Sequence, residues 1–375
     1  MKNDKEILIL TPCYAPNTGG AETHLTDYVD QLNLKKIKFT LLTLSPITTK
    51  SVKYKKEEFF SNGSKIKRFK FFSSNLYHTS EKFPLFNFLY IVPYFTFRVL
   101  IYFFFNNNKK FIIHSHGLNA GVTGTILKKI YKLKHILSTH AVYEISNNKI
   151  YNLFIKYILT NCNKIICVSK ISSDQIKKIL SENYDERVSI FTYWVDLNKF
   201  KPLNIEKKYD ILFVGRLTEK KGIKIILSLV KTMSKVKFCI VGNGPEQKNV
   251  YEFSKKFKNL DYLGRIDNEN IPSIYNASKI ICIPSLYQEG YARVVLESLS
   301  CGIPIIATKF VSSHNEINNK NCIFLTDTDV ESFRKQINEK LSNDKKLQIA
   351  SNNARMHSEK HYSSKNFENI IKKIM

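Results

Sequence analysis

Short apolar runs separated by longer amphipathic stretches recur along the whole chain. Apolar runs of about 4–8 residues are typical of the buried strands of a parallel sheet, and amphipathic stretches are typical of the helices that cover it. The alternation therefore predicts an α/β fold built from βα repeats. The predicted strands are EILILTP, KFTLLTL, KIKRFKFF, KFIIHSHG, HILSTH and KIICVS in the first half, and DILFVG, KFCIVG, LDYLG, KIICIP, PIIAT and CIFLT in the second.

The pattern divides into two halves, which predicts two domains. It is interrupted at residues 194–209, WVDLNKFKPLNIEKKY, where a proline and a charged run indicate a hinge. A chain of 375 residues with 43% hydrophobic content can build two buried cores. The N-terminal run ILIL is too short for the apolar region of a signal peptide, so we expect a first strand there.

Composition narrows the class of protein. The net charge of +26 favours polyanions or anionic surfaces as partners, although the lysines are spread over the chain and a general Lys/Asn/Ile bias would also account for them. The seven cysteines include no C-x-x-C pair. This usage predicts reduced, mostly buried thiols of a cytosolic protein rather than a disulfide or zinc framework.

One apolar run, residues 83–105, is much longer than the others. Its length approaches the about 20 residues that a membrane-spanning helix needs, but Pro93 and several polar residues interrupt it. Two interpretations remain open: a helix packed in the core, or an interfacial helix that contacts an anionic membrane, with Lys109 and Lys110 beside it.

Two acidic residues after the predicted strand KIICIP indicate a binding site. Glu289 and Glu297 are eight positions apart, and this spacing suits Glu289 in a loop and Glu297 about two turns into a helix. The backbone N–H groups of Gly290, Tyr291 and Ala292 would then form a helix N-terminus that can bind an anion between the two carboxylates. That layout fits the hydroxyls, diphosphate and ribose of a sugar nucleotide; two surface acids on an ordinary strand–loop–helix are the alternative.

A second basic turn lies earlier, in DILFVGRLTEKKGIKIILSLV. Arg216 and Lys221 follow the strand DILFVG and precede an amphipathic helix. Arg can bind phosphate oxygens with its planar fork and Lys as a point charge, so the turn suits a diphosphate. A solvated helix cap would use the same residues.

In combination, these motifs resemble the donor-binding half of retaining GT-B glycosyltransferases of the family-4 type (glycosyl transferases group 1). The ordered matches are Val214-Gly215-Arg216-Leu217, Lys221-Gly222, Val241-Gly242-Asn243-Gly244-Pro245, Pro284-Ser285, Glu289-Gly290, and Glu297 with Gly302-Ile303-Pro304. The resemblance implies two Rossmann-like domains facing each other across a cleft, with a C-terminal helix that crosses back to the first. We expect an acceptor-binding domain over residues 1–198, a nucleotide-sugar-binding domain over 199–355 and the terminal helix over 356–375.

The resemblance also implies roles for the residues of the second domain. Arg216, Lys221 and the backbone of Gly290, Tyr291 and Ala292 would bind the donor diphosphate and stabilise it electrostatically as it leaves, with no metal or other cofactor. Glu289 would orient the sugar and act as a catalytic residue. Nucleoside contacts would come from Glu297 to the ribose, and from Ile266 and Arg265 near the base.

In the first domain, the resemblance places the loop of Gly19 and Gly20 near the phosphates and the acceptor. Paired glycines also allow close backbone approach and unusual φ values. His140, at the end of HILSTH, would contact the donor sugar as the second catalytic residue. His114 and His116 share a strand face, but no Asp, Glu or Cys lies at ligand spacing, so no metal site is expected and His116 is predicted only to line the site.

The implied activity is that of a retaining hexosyltransferase that moves a sugar from a nucleoside diphosphate to a hydroxyl by front-face attack. A glycan or lipid-linked acceptor in surface polysaccharide, lipopolysaccharide or lipid-linked glycan synthesis would place the enzyme in the cytoplasm, at the inner face of the membrane. The alternatives are another GT-B enzyme, such as a nucleotide-sugar epimerase or a phosphorylase, and a non-catalytic polyanion-binding protein; no nucleic-acid motif is present and no specific nucleic-acid partner is expected. VGNGPEQ lacks the third glycine of a dinucleotide fingerprint, which argues against a dehydrogenase.

Three segments depart from the family pattern. Tyr193-Trp194-Val195-Asp196 stands where the family often has Asn-Gly-Val-Asp, so that turn must form without glycine. Tyr291-Ala292 replaces Phe-Gly after Glu289-Gly290, and Val311-Ser312-Ser313 replaces a Gly-Gly loop. Donor specificity is expected to depend on the loop between the two acids.

Overall fold

The protein folds into two compact units, Met1–Tyr193 with Phe367–Met375, and Trp194–Asn366. Each unit is an α/β layer structure around one sheet, so the predicted fold class is confirmed. All twelve predicted strands are present, and two short strands, Glu57–Phe59 and Val188–Ile190, were not predicted. The computed structural model describes residues 5–17, 19–48, 52–71, 84–106, 110–140, 149–180, 186–290, 292–311 and 321–375.

The first unit contains an eight-stranded sheet. Its strands are β1 (Glu6–Leu10), β2 (Phe39–Leu44), β3 (Glu57–Phe59), β4 (Lys65–Phe69), β5 (Phe111–His116), β6 (Lys134–Thr139), β7 (Lys164–Cys167) and β8 (Val188–Ile190). Their order is β3-β4-β2-β1-β5-β6-β7-β8, and all pairs are parallel except β3 with β4. The buried apolar runs of β1, β2 and β5 form the centre of this sheet, as expected for strands covered on both faces.

Helices cover the sheet of the first unit. They are α1 (Gly20–Leu34), α2 (Pro84–Phe104), α3 (Leu118–Tyr131), α4 (Lys149–Thr160) and α5 (Lys170–Leu180). Consecutive members of the series α2 to α5 contact each other and so form one layer. The buried side of α2, with Phe95 and Val99, packs on Leu8, Leu10 and Ile113 of the sheet. Among the described residues, no helix combines the length and apolar character needed to cross a membrane.

The second unit contains a six-stranded sheet in which every described pair is parallel. Its strands are β9 (Tyr209–Val214), β10 (Phe238–Val241), β11 (Leu260–Gly264), β12 (Ser278–Ile283), β13 (Ile305–Thr308) and β14 (Ile323–Thr326), in the order β11-β10-β9-β12-β13-β14. Its helices are α6 (Ile223–Thr232), α7 (Gln247–Lys256), α8 (Ile271–Asn276), α9 (Arg293–Ser300), α10 (Val330–Leu341) and α11 (Asp344–His361). A short 3-10 turn, Glu219–Lys221, precedes α6.

The segment predicted to be a hinge is attached to the second unit. Leu203 N donates to Asn276 Oδ1 at 2.8 Å, and Lys207 Nζ donates to the carbonyls of Asn276 and Ser278 at 2.8 and 3.0 Å. The structural division therefore falls after Tyr193 and not at residue 198. The assignment of acceptor and donor to separate domains stays a prediction.

The C-terminal segment consists of two helices and not of one over residues 356–375. Helix α11 ends at His361 and α12 (Lys365–Ile374) follows it. Residues from Phe367 onward belong to the first unit, where the Phe367 ring lies 5.7 Å from that of Tyr28 and Glu368 pairs with Lys35 at 2.8 Å. The predicted return of the last helix to the first unit is thus confirmed, with a later start.

Two loops of the second unit approach each other closely at Gly222. This residue has φ +74, and a Cβ built on it would lie 1.9 Å from the carbonyl oxygen of Pro284. Gly264 also has a positive φ, +65, but nothing lies within 4 Å of a Cβ built there. The two glycines therefore share a backbone constraint and differ in steric surroundings.

We predict that Gly222→Ala destabilises the protein much more than Gly264→Ala. Both substitutions incur the left-handed backbone cost of about 1–2 kcal/mol. Only Gly222→Ala adds a clash with the Pro284 backbone, which should lower the free energy of unfolding by about 1–3 kcal/mol more. Urea denaturation of both variants measures the difference, and equal losses would show that the two loops can move apart at little cost.

Candidate functional site

The order of the strands in the second unit reverses at β9. Strands β10 and β11 lie on one side of β9, and β12, β13 and β14 lie on the other. Connections that leave neighbouring strands toward opposite faces open a crevice outside their carboxyl ends, where ligands bind in open α/β sheets. Arg216 and Lys221 follow β9, and Glu289 follows β12. The residues predicted from two distant motifs thus converge on this reversal point.

Lys221 and Glu289 form an ion pair, with 2.6 Å between Nζ and Oε2. The Glu289 side chain is 5% exposed and that of Lys221 is 25% exposed. The other carboxylate oxygen of Glu289 accepts a hydrogen bond from the Ser285 hydroxyl, and Lys221 Nζ lies 5.3 Å from the centre of the Tyr287 ring. Burial lowers the pKa of Lys221, but the attraction of Glu289 outweighs burial and the pKa is raised, so the lysine stays cationic.

Backbone hydrogen bonds fix the loop that carries Glu289. Its N–H donates to the carbonyl of Phe310 at 3.1 Å, and Gln288 Nε2 donates to the same carbonyl at 3.0 Å. On the other side, Leu286 N donates to the carbonyl of Lys220 at 2.8 Å. The loop is therefore attached both to the turn after β9 and to the end of β13.

Glu297 lies on α9, which begins at Arg293, so it stands just over one turn into the helix rather than two. Its oxygens accept hydrogen bonds from the Tyr275 hydroxyl at 2.8 Å and from Arg293 Nε at 3.0 Å. Burial and the Glu297 carboxylate raise the pKa of Tyr275 well above its usual value. The contact of Glu297 with a ribose stays a prediction.

Sequence reasoning missed Arg293 and Tyr275 as the partners of Glu297. The Arg293–Glu297 pair could have been found, because residues four apart on a helix are neighbours. The contact from Tyr275 joins α8 to α9, and no local pattern predicts it.

The other predicted residues of the second unit lie around the same ends of the strands. Arg216 and Arg265 are exposed and Ile266 is half-buried, on the loops after β9 and β11. Gly242 N donates to the Gly264 carbonyl at 2.7 Å, which joins the loop after β10 to the end of β11. Ala292 is buried and caps α9, Gly290 lies just before it, and Tyr291 lies outside the described residues.

The first unit has its own reversal point, between β1 and β5. Gly19 and Gly20 follow β1 and begin α1. Gly19 has φ 169, an extended conformation that any residue adopts, so it does not use the unusual φ values that glycine allows. A Cβ at Gly19 would instead lie 2.3 Å from Oε2 of Glu22. Glycine at this position leaves space for the Glu22 carboxylate in the first turn of α1, where the helix dipole favours it.

His140 belongs to a chain of three hydrogen-bonded rings at the carboxyl ends of β5, β6 and β8. Its Nδ1 lies 2.5 Å from the Tyr193 hydroxyl and its Nε2 lies 2.9 Å from Nδ1 of His116. The His24 ring stacks on the Tyr193 ring, with 4.0 Å between their centres. The sequence analysis predicted that His116 lines the site. It did not predict that Tyr193 and His24 lie beside His140.

A second set of contacts surrounds His114. Its Nδ1 lies 3.1 Å from the Tyr28 hydroxyl and its Nε2 lies 2.8 Å from the Ser138 hydroxyl. Burial lowers the pKa of His114 to about 3, that of His140 to about 4 and that of His116 well below its usual value. These rings are therefore neutral near pH 7 and act as hydrogen-bonding groups rather than as charges. Within the described part of the chain, no group of three or more His, Cys, Asp or Glu residues is arranged to hold a metal ion.

Two family profiles match adjoining parts of the sequence. Glycosyltransferase Family 4 matches residues 18–199, and Glycosyl transferases group 1 matches residues 195–357. Together they cover residues 18–357, which include every predicted site residue. The chain belongs to the glycosyltransferases that these two profiles describe, the group 1, family-4 type.

Relatives extend the comparison. The glycosyltransferase is 32% identical over 204 residues to an uncharacterized glycosyltransferase of Methanocaldococcus jannaschii, an alignment that covers 53% of this chain and 56% of the relative. It is 24% identical over 341 residues to a subunit of the human phosphatidylinositol N-acetylglucosaminyltransferase, an alignment that covers 87% of this chain and 66% of that protein. These alignments span between about half and two thirds of the length of the relatives.

Solved structures confirm the GT-B fold of this glycosyltransferase. Sucrose-phosphate synthase from Thermosynechococcus elongatus matches with a TM-score of 0.77 at 16% identity, over 98% of this chain and 97% of that one. Anabaena HepE in complex with UDP-glucose matches with a TM-score of 0.73 at 15% identity, over 98% of each chain. At these identities the likeness concerns the fold alone.

The neutral histidines predict a pH dependence of the stability of the first unit. Below about pH 6.5 the unfolded chain protonates these rings, whereas the folded unit resists protonation down to about pH 4. The free energy of unfolding should therefore fall as the pH falls through this window, by up to about 1.4 kcal/mol per histidine and pH unit.

Hydrogen exchange measured by mass spectrometry at pH 7 and pH 5, corrected for intrinsic rates, tests this prediction unit by unit. Strands β5 and β6 should lose more protection than β12 and β13. In the first unit four histidines have lowered pKa values (His114, His116, His135 and His140), whereas in the described part of the second unit only His357 does. Equal losses in both units would contradict it.

Proposed function

We propose that this glycosyltransferase moves a hexosyl residue from a nucleoside-diphosphate sugar to a hydroxyl of a glycan or lipid-linked acceptor, with retention of configuration. The observation that carries the proposal is the ion pair between the half-buried Lys221 and the buried Glu289 at the strand reversal of the second unit. It places a fixed cation and a hydroxyl-accepting carboxylate side by side where such sheets bind ligands.

Electrostatics supports a diphosphate as the group that Lys221 meets. An ammonium group has three donors, so Lys221 can keep Glu289 on one and donate the others to phosphate oxygens. The exposed Arg216 and the N-terminus of α9 add positive potential around the same strand ends. Charge that develops on a departing diphosphate would be stabilised by these groups, and no divalent metal is then required.

The surroundings of Glu289 support a role in orienting the sugar rather than in attacking it. One carboxylate oxygen is held by Lys221 and the other by Ser285, which reduces the nucleophilicity of both. A reaction with retention then proceeds by attack of the acceptor on the face that the diphosphate leaves, and the leaving phosphate takes the acceptor proton. His140 of the first unit is proposed to contact the donor sugar.

Relatives favour the same substrate classes. HepE is described with UDP-glucose, and the human relative carries phosphatidylinositol and N-acetylglucosamine in its name. A sugar nucleotide as donor and a lipid-linked or glycan acceptor are therefore proposed here, in a cytoplasmic enzyme of surface polysaccharide, lipopolysaccharide or lipid-linked glycan synthesis.

A panel of UDP-, GDP- and ADP-sugars tests the activity. One donor should bind in the presence of EDTA and release its nucleotide only when an acceptor is added, and NMR of the product should show the anomeric configuration of the donor. Conversion of the donor into an epimeric sugar nucleotide without an acceptor would instead favour an epimerase.

Lys221→Ala should reduce kcat/KM for the donor about 100-fold or more, because it removes the cation that stabilises the leaving diphosphate. Lys220→Ala is the matched control, since Lys220 is the preceding residue and its side chain is exposed. If both variants lose the same activity, or if neither does, the assignment of Lys221 is wrong.

We further propose that the enzyme works at an anionic membrane. Every exposed position among the described side chains of α2 is apolar: Phe86, Leu89, Pro93, Phe97, Ile101 and Phe104. A helix whose outer side is apolar leaves that surface without a covering element, which is typical of partner or membrane contact. Core packing accounts only for the opposite side of α2.

Charge complementarity favours a bilayer with anionic lipid as the occupant. Helices α2, α3 and α4 contain no Asp or Glu, and exposed lysines and apolar side chains alternate on α3 and α4. We call the exposed side chains of these three helices the basic apolar face; besides those of α2 they include Lys129, Ile130, Lys149, Tyr151, Leu153, Lys156 and Tyr157. The ring of Phe88 on α2 contacts that of Phe154 on α4, with 4.9 Å between centres, so the helices form a continuous surface. Each lysine near an anionic surface contributes about 1 kcal/mol to binding.

Phe97→Asp should weaken sedimentation with vesicles containing about one third phosphatidylserine at least tenfold, because a charge on an inserted apolar surface opposes burial. Ile349→Asp is the matched control: Ile349 is 59% exposed and Phe97 is 60% exposed, but Ile349 lies on α11 of the second unit. Binding of the wild type should fall with added salt and with neutral lipid. Wild-type protein that does not bind these vesicles, or equal effects of the two variants, would refute the membrane contact.

A further inference from the structure

Both ring nitrogens of His140 are engaged inside the first unit. The Tyr193 hydroxyl lies 2.5 Å from Nδ1, and Nδ1 of His116 lies 2.9 Å from Nε2. A neutral imidazole carries one proton, so one of its nitrogens donates and the other accepts. The direction of the hydrogen bond at Nδ1 therefore determines whether Nε2 of His140 carries the ring proton.

A tyrosine hydroxyl can donate to an imidazole nitrogen or accept from its N–H. A phenolic O–H is a stronger acid than a neutral imidazole N–H, and an imidazole lone pair is a better acceptor than a phenolic oxygen, so the arrangement in which Tyr193 donates is the favoured one. Nδ1 of His140 then accepts from Tyr193, and the single ring proton resides on Nε2, from which it is donated to Nδ1 of His116. The opposite arrangement would turn Tyr193 into an acceptor and reverse both bonds together, because the two are coupled through one ring.

The position of the Tyr193 hydroxyl is itself well defined. The side chain is 3% exposed, its ring stacks on His24 at 4.0 Å between centres, and the Phe191 ring lies 5.2 Å away. Because the Tyr193 ring is already held by packing against His24 and Phe191, it loses little side-chain conformational entropy when its hydroxyl forms a hydrogen bond. Tyr193 stands where the resembling family often has Asn, so this support of His140 belongs to this chain's own sequence.

We propose that Tyr193 is a positioning residue that keeps the proton of His140 on Nε2, so that the ring meets the donor sugar as a hydrogen-bond donor. The proposal rests on the proposed function of His140 as a contact to the donor. Tyr193 itself touches no substrate in this scheme. Its effect reaches the sugar through the orientation and protonated nitrogen of the His140 ring, and the His116 bond at Nε2 holds the ring until a sugar hydroxyl shares that proton.

Tyr193→Phe isolates the hydroxyl, because it keeps the ring that stacks on His24. Tyr28→Phe is the matched control: Tyr28 is also buried in this cluster, but its hydroxyl contacts His114 and not His140. Nitrogen-15 NMR of histidine-labelled protein, with the His140 signals assigned from His140→Gln, gives the protonated nitrogen directly. Steady-state kinetics with the active donor gives kcat and KM.

The wild type and Tyr28→Phe should show His140 protonated at Nε2, and Tyr193→Phe should show a mixture of both forms. Loss of one hydrogen bond should lower kcat/KM for the donor about three- to tenfold in Tyr193→Phe and leave Tyr28→Phe within about twofold of the wild type. A wild-type proton on Nδ1, an unchanged His140 spectrum in Tyr193→Phe, or equal effects of the two variants would overturn the proposal. The spectrum decides the protonation without any turnover, whereas the donor panel decides the proposed activity, so the two can fail separately.

Discussion

The reversal of strand order at β9 is the constraint on which the second unit depends. It brings the loops after β9 and β12 together although their sequences lie some seventy residues apart, and Lys221 and Glu289 meet there at 2.6 Å. An ion pair that is largely removed from water seldom adds net stability, because the cost of desolvating the charges offsets their attraction. In other proteins, replacing such a pair by apolar residues of similar size is often neutral or stabilising. The proposed donor, with a phosphate group beside a sugar hydroxyl, would give both charges a partner.

The same sheet architecture presents different chemistry in the two units. At the reversal point of the second unit the polar side chains are charged, whereas in the first unit burial keeps His114, His116 and His140 neutral. Neutral rings can donate and accept hydrogen bonds without favouring an anion, which suits recognition of sugar hydroxyls. Charged groups suit the diphosphate. This difference between the two units depends on burial, since residue types alone do not reveal that these histidines are uncharged.

Most of the fold could be predicted because buried parallel strands consist of unbroken apolar runs. The two strands that were missed show the limit of this signal: β3 has the sequence EEF and β8 is the three-residue run VSI, and neither has a buried run long enough to recognise. The candidate site was predictable where residues follow strands directly, as Lys221 and Glu289 do. Contacts that depend on tertiary packing were not, including Tyr275 with Glu297. Tyr193 was noted only as a turn without glycine, and its hydroxyl contact with His140 required the alignment of β6 and β8 with β7.

Helix α2 shows that the apolar residues of a helix must be assigned to its buried or its exposed side before they are interpreted. A uniformly apolar helix can be explained by core packing or by a membrane surface, and sequence alone presents these as alternatives. In the structure they concern opposite sides of one helix: Phe95 and Val99 are fully buried in the core, while Phe97 is 60% and Phe104 is 71% exposed. The same distinction applies to the net charge of +26. If the charge came only from a lysine bias spread over the whole chain, acidic residues would occur on α2, α3 and α4 as readily as on other elements. These three helices have none. The absence of acidic residues from these three helices, together with an uncovered apolar side, is what attraction to an anionic lipid surface would favour.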